Sequence, residues 1–130
     1  SPLKEEFTRI AFYRTRGYRD WDQYAGWEPK KKLEATYSLV TIDSSYSSEL
    51  SNVRSRAPET GPVFLEPAEP LKLRVFVDKS IVEVFINDKQ CIAMRVYPGR
   101  DDSLGVSLRA QGTNAKLKNL HAWQMQSIYE

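Results

Sequence analysis

Residues 71–88 read Leu71-Lys-Leu-Arg-Val-Phe-Val-Asp-Lys-Ser-Ile-Val-Glu-Val-Phe-Ile-Asn-Asp88, and their spacing decides the fold. Leu71, Leu73, Val75 and Val77 recur at period two, with Lys72 and Arg74 pointing the other way. That alternation predicts a half-buried strand. Asp78-Lys79-Ser80 is a short polar break, and Val82, Val84 and Ile86 then share one face of a second strand. Asn87-Asp88-Lys89 is a second break; Asn and Asp tolerate the left-handed backbone that a hairpin loop requires. Cys91-Ile-Ala-Met-Arg-Val-Tyr97 supplies a third strand. Three β-rich runs joined by tight turns predict an antiparallel meander.

The pattern continues downstream. Pro98 to Asp102 is a loop by composition. Leu104, Val106 and Leu108 alternate with small residues and predict another strand. Gln111-Gly112-Thr113-Asn114 is a turn, and residues 116–128 predict a closing strand with a bulge between Leu117 and Leu120. A helix over 116–126 competes, but Asn119, His121 and Trp123 are indifferent helix formers and no cap is evident. Upstream, Phe7–Tyr13 and Thr36–Ile42 predict strands, and Asp43–Ser55 is a polar loop. Pro58, Pro62, Pro67 and Pro70 punctuate an extended connection into the meander. These segments amount to at least seven strands with little or no helix. The expected fold is an all-β, antiparallel two-sheet β-sandwich of jelly-roll or concanavalin-like type. Its expected core is Leu73, Val75, Val77, Val82, Val84, Ile86, Leu104, Val106, Leu108 and Trp123.

Length and composition bound the function. The 130 residues fit a single domain over 1–130, with 41% hydrophobic and 28% charged residues, an ordinary globular balance. The 19 basic and 17 acidic residues leave a net charge of +2, spread over both halves. That is no electrostatic footprint for nucleic acid. Cys91 and His121 are the only cysteine and histidine, so an internal disulfide is excluded and no metal or other cofactor is expected. No run approaches the roughly 18 apolar residues of a membrane helix, and no membrane partner is expected. The start, Ser1-Pro-Leu-Lys-Glu-Glu6, is not a signal peptide and lacks an initiator Met. The chain is therefore expected to be a processed or cut piece of a larger protein. Its compartment stays open, with a secreted or periplasmic setting preferred over a cytoplasmic one.

Residues 14–35 form an aromatic-rich insertion containing Tyr18-Arg-Asp-Trp-Asp-Gln-Tyr-Ala-Gly-Trp27. Tyr18, Trp21, Tyr24 and Trp27 are the candidate substrate-binding residues. Sugar rings present apolar C–H faces that stack on Trp and Tyr, while Asp20, Asp22 and Gln23 can bond hydroxyls. The competing readings are that these aromatics pin a long loop to the sandwich, or anchor an interface. Lys30-Lys31-Lys32 reads as a solvated turn. Glu83 interrupts an apolar strand. A carboxyl among apolar neighbours can act as an acid, but pairing with Arg74 or Arg95 on an adjacent strand is the simpler expectation. His121 is the only histidine a triad could use, and Cys91 is expected to be a buried, inert thiol.

Leu73-Arg-Val-Phe-Val-Asp-Lys-Ser-Ile-Val-Glu-Val-Phe-Ile-Asn-Asp88 also resembles the signature of the C-terminal β-sandwich of glycoside hydrolase family 32, the invertases, levanases and inulinases. Arg95-Val-Tyr-Pro98, Ser103–Leu108 and Leu120-His-Ala-Trp-Gln-Met125 fit the same resemblance, as do Phe7-Thr-Arg-Ile10 and Arg56-Ala-Pro58. It is dense over residues 56–128. The resemblance implies a non-catalytic module that follows a catalytic β-propeller in the same polypeptide. It implies β-fructosyl linkages in sucrose, levan or inulin as the parent enzyme's substrate class. The module would stabilise the propeller and help substrate or subunits dock, with a homodimer as a further possible assembly. Retaining glycosidases need two carboxyls about 5–5.5 Å apart. The family displays its catalytic carboxylates in Asn-Asp-Pro-Asn-Gly, Arg-Asp-Pro and Glu-Cys motifs, none of which occurs here. Arg19-Asp20-Trp21 and Asn87-Asp88-Lys89 match only fragments of them, so no catalytic residue is assigned. The alternative is a free-standing carbohydrate-binding module that stacks sugar or fructan on Trp21, Tyr24 and Trp27.

Overall fold

The computed structural model describes residues 1–17, 37–66 and 68–127. Among them are six strands and no helix, rather than the seven or more strands expected. They are β1 (Arg9–Gly17), β2 (Tyr37–Asp43), β3 (Glu59–Val63), β4 (Leu73–Asp78), β5 (Ile81–Ile86) and β6 (Gln90–Arg95). They form two antiparallel three-stranded sheets, ordered β1-β2-β3 and β4-β5-β6. The fold is the expected all-β sandwich. The aromatic stretch Tyr18–Trp27 and the Lys30–Lys32 run lie outside the described residues.

The central meander forms as its alternation dictates. Val75 pairs with Val84 and Val77 with Val82 across β4 and β5, and Val82 pairs with Met94 across β5 and β6. Directly paired residues share a face, so these side chains line one side of the sheet. Both turns use left-handed backbone at polar residues. Lys79 has φ 51°, and Asn87 and Asp88 have φ 49° and 54°. The Lys89 N–H donates to the Ile86 carbonyl at 3.0 Å and closes the second turn. Two consecutive positive φ values give the turn the twist that matches right-twisted strands.

The core lies where β2 and β3 face β5 and β6. Val40, Ile42 and Val63 from one sheet meet Val82, Val84, Ile86 and Met94 from the other, with Val96 just beyond β6. Ile10, Phe12 and Ile92 pack against this cluster from the side. The sequence places Pro62 in an extended connection into the meander, and the structure makes residues 59–63 the strand β3. It forms because it is an edge strand, where a missing N–H is tolerated. Gly61 also has a packing reason: a Cβ there would lie 3.1 Å from Ile92 Cγ2 on the opposite sheet.

The expected core was correct for Val82, Val84 and Ile86 and wrong for the rest. Leu73, Val75 and Val77 share one face of β4 as predicted, yet they are exposed, Val77 by 62%. β4 is the edge strand of its sheet, and the facing sheet covers β5 and β6 but not β4. Leu104 (86%), Val106 (91%), Leu108 and Trp123 (80%) are also exposed. Neither the strand expected at 103–108 nor the one over 116–128 forms in the described residues. Alternation gives a segment an apolar face but not a partner, and residues 104–125 pair with no described strand.

Two substitutions separate the real core from the expected one. Ile86→Ala should destabilise the chain by about 2–5 kcal/mol, whereas Val106→Ala should change it by less than about 0.5 kcal/mol, both read by urea denaturation. Gly61→Val should cost about 1–3 kcal/mol through overpacking against Ile92.

Candidate functional site

Three features outside the core have the chemistry to do something: a buried carboxylate, a polar cleft and an uncovered apolar surface. Glu6 is the carboxylate, only 1% exposed. Its Oε1 accepts hydrogen bonds from the Glu49 and Gly99 N–H groups at 3.0 and 2.6 Å. Its Oε2 accepts from the Arg100 N–H at 3.1 Å and the Ser103 hydroxyl at 2.5 Å. Burial alone raises a carboxyl's pKa, but these four donors reverse the effect and hold Glu6 below its usual value. The group therefore ties the start of the chain to the 48–50 loop and the 98–103 loop. Beside it, Arg100 pairs with Glu5, Glu49 and Asp102.

A second polar cluster clamps the β5–β6 turn. Asn87 Oδ1 accepts the Lys72 N–H at 2.8 Å, and Asn87 Nδ2 donates to the Pro70 carbonyl and to Glu69. Glu69 also accepts from the Glu66 N–H and from Lys89 Nζ. The Glu66 N–H, then Lys89 and Asn87, lower its pKa to about 2. Asp88 pairs with Lys72 and Arg74, which hold it below the usual range. Asn87, Asp88 and Lys89 are thus a structural latch that fixes the hairpin to the segment entering β4.

The polar cleft, of about 140 Å³, lies between the 44–56 loop and the end of β6. Arg54, Arg56 and Arg95 line it, together with Ser44, Ser48 and Ser55. The apolar surface comprises the outer edge of the β4–β5–β6 sheet at Leu73, Val75 and Val77 and the extended 104–125 segment, with Leu104, Val106, Leu108, Leu117, Leu120 and Trp123 all exposed.

Of the residues singled out in the sequence, Tyr18, Trp21, Tyr24 and Trp27 lie outside the described residues, as do Arg19 and Asp20. Glu83 sits on β5 opposite Phe76 and Ala93. It is not paired with Arg74, which binds Asp88, or with Arg95, whose Nη1 donates to Ser80 Oγ at 3.4 Å. Cys91 is exposed rather than buried, because it pairs with Phe85 on the outer face of the sheet. His121 stacks on Trp123, their ring centroids 5.8 Å apart, in a segment whose residues are all exposed. Glu6 was missed entirely. It stands outside any periodic run, and its four donors come from residues 43 to 97 positions away.

The profile of the family described as "Glycosyl hydrolases family 32 C terminal" matches residues 1–124. The chain belongs to this family. The family match therefore takes in the β-sandwich and most of the extended C-terminal segment. The chain is 30% identical over 100 residues to the levanbiose-producing levanase of Bacillus subtilis (strain 168), a stretch that is 75% of this chain and 18% of that protein. It is 44% identical over 66 residues to beta-fructofuranosidase 1 of Zea mays, covering 47% of this chain and 10% of that protein. It is 41% identical over 73 residues to the levanase of Bacillus subtilis (strain 168), covering 55% and 10% respectively. The family 32 module thus spans less than a fifth of the length of these relatives. No solved structure matches the chain.

The Glu6 and Glu69 geometry fixes an acid dependence. Both carboxyls have folded pKa values below the ordinary 4.5. Their stabilisation is complete above the unfolded value and is lost as pH falls through the folded one. Thermal melts should therefore show a stable plateau near neutrality and a falling Tm as pH drops from about 4.5 towards 2. Glu6→Gln should cost about 2–4 kcal/mol at pH 7, because an amide N–H₂ would then face two donors where an oxygen accepted them. The variant should also lose part of the acid slope.

Proposed function

We propose that this chain is the non-catalytic C-terminal sandwich of a β-fructosidase-type glycoside hydrolase, and that its task is to dock on and stabilise the catalytic propeller of the same polypeptide. The observation that carries this reading is the uncovered apolar surface in a family 32 C-terminal module. Three apolar residues of one β4 face, and a C-terminal segment rich in Leu, Val and Trp, are left in water. Exposed apolar area of this kind marks an interaction surface. The family match and the short share of each relative covered support the rest of such an enzyme as the proposed partner. The parent's proposed substrates are β-fructosyl linkages, a reading supported by the levanase and beta-fructofuranosidase names of the relatives. None of the family's catalytic carboxylate motifs is present in the chain, which agrees with an accessory role. Tyr18, Trp21, Tyr24 and Trp27 remain the proposed sugar-stacking residues of the module. Their support is the density of aromatics beside Asp20, Asp22 and Gln23.

The test uses the parent enzyme and this chain side by side. The isolated chain should release no fructose from sucrose, levan or inulin, and hydrolysis by it would overturn the reading. In the parent, Val75→Asp or Val77→Asp should lower the Tm of the catalytic domain and the yield of active enzyme. The same change in the isolated chain should be close to neutral, because both side chains are already exposed. Equal effects in both contexts would refute docking through β4.

A further inference from the structure

The cleft beside the 44–56 loop has a composition that the docking role does not use. Three arginines and no acidic residue line it. Arg54 and Arg56 make no hydrogen bond or ion pair with any described residue, although Arg9, Arg74 and Arg100 all have carboxylate partners. Arg95 has only the long bond to Ser80. Three cationic residues around one concavity raise its potential and favour a counter-charge. The serines complete the chemistry. Ser48 Oγ accepts the Leu50 N–H, which leaves its own proton to donate. The hydroxyls of Ser44 and Ser55 bond to no described residue. Ser45 and Ser47 also line the cleft, but their hydroxyls are engaged with Asp43 and Thr8.

We propose that this cleft binds a tetrahedral dianion of the phosphate or sulfate class, held by Arg54, Arg56 and Arg95 with Ser44, Ser48 and Ser55. Guanidinium is the side chain that matches such oxyanions, because its fork of N–H donors meets two oxygens at once. The size agrees. At roughly 30 Å³ per water in the liquid, 140 Å³ is the space of four or five waters, enough for an ion of four oxygens. A single carboxylate would leave one or more guanidiniums unmatched, so a dianion is the better fit. The tetrahedral group has two sources, the free ion and a phosphate ester on a sugar. In either case Tyr97, half exposed at the rim, would flank the ligand.

The experiment is an NMR titration of the isotope-labelled chain at constant ionic strength near 0.15 M, about physiological. Inorganic phosphate, a sugar monophosphate and acetate are added in separate arms. Saturable shifts should appear at residues 44–48, 53–56 and 95–97, with a Kd of about 1 mM or tighter. Arg54→Gln and Arg56→Gln should each weaken binding at least about tenfold, which corresponds to about 1.4 kcal/mol. Both arginines are exposed, so the fold should survive, and a circular-dichroism melt verifies it. Arg109→Gln, an exposed cation outside the cleft, should change nothing. Tighter binding of the sugar phosphate than of the free ion would assign the ester as the source, and equal binding the free ion. Shifts that never saturate, or that Arg54→Gln and Arg56→Gln leave unchanged, would overturn the site. Acetate binding as tightly as phosphate would overturn the dianion assignment.

Discussion

Everything in this module rests on one contact, the meeting of β2 and β3 with β5 and β6. A three-stranded sheet with one apolar face is marginal in water until that face is covered. Here Val40, Ile42 and Val63 supply one cover, and Val82, Val84, Ile86 and Met94 supply the other. The close approach at Gly61 shows how little space remains between the sheets. Strand pairing, turn geometry and loop position all follow from keeping these two faces together. β4 lies beyond the overlap, which is why its apolar residues remain available to something else.

Polar interactions then do what the small core cannot, which is to hold the loops. Glu6 collects donors from two distant loops onto one buried carboxylate. Glu69 and Asn87 do the same for the β5–β6 turn. In both cases the carboxylate is ionised and surrounded by donors, so its charge is matched rather than merely buried. Each such node makes the surrounding loop geometry depend on pH in the acid range.

The functional reading joins these layers. Family 32 modules accompany much longer chains among the relatives matched here. An apolar strand edge and an uncovered C-terminal segment fit the proposed docking on another domain. The arginine-lined cleft is different in kind, since it is polar, lined by a separate loop, and its arginines have no carboxylate partner among the described residues. One surface suits a protein partner and the other a small oxyanion.

The sequence by itself determined the class of fold, the face alternation of β4 and β5, and the left-handed turn at Asn87-Asp88. Local physics suffices there, because period-two alternation and the tolerance of Asn and Asp for positive φ are properties of short segments. It determined the family through the same residues. It could not determine which apolar faces would be covered. Val75 and Val84 read alike in the sequence, yet one is on an edge strand and the other beneath the opposite sheet. Leu104, Val106 and Leu108 have the pattern of a strand but pair with none of the described strands. Cys91 alternates with Ala93 on the face away from the core, a choice that the sheet stacking makes and the alternation does not. The partners of Glu6, and the cleft that Arg54 and Arg56 share with Arg95, were equally invisible, because they join segments far apart in the chain. Burial and convergence are relations between distant segments, and only the packing of one sheet on the other brings those segments together.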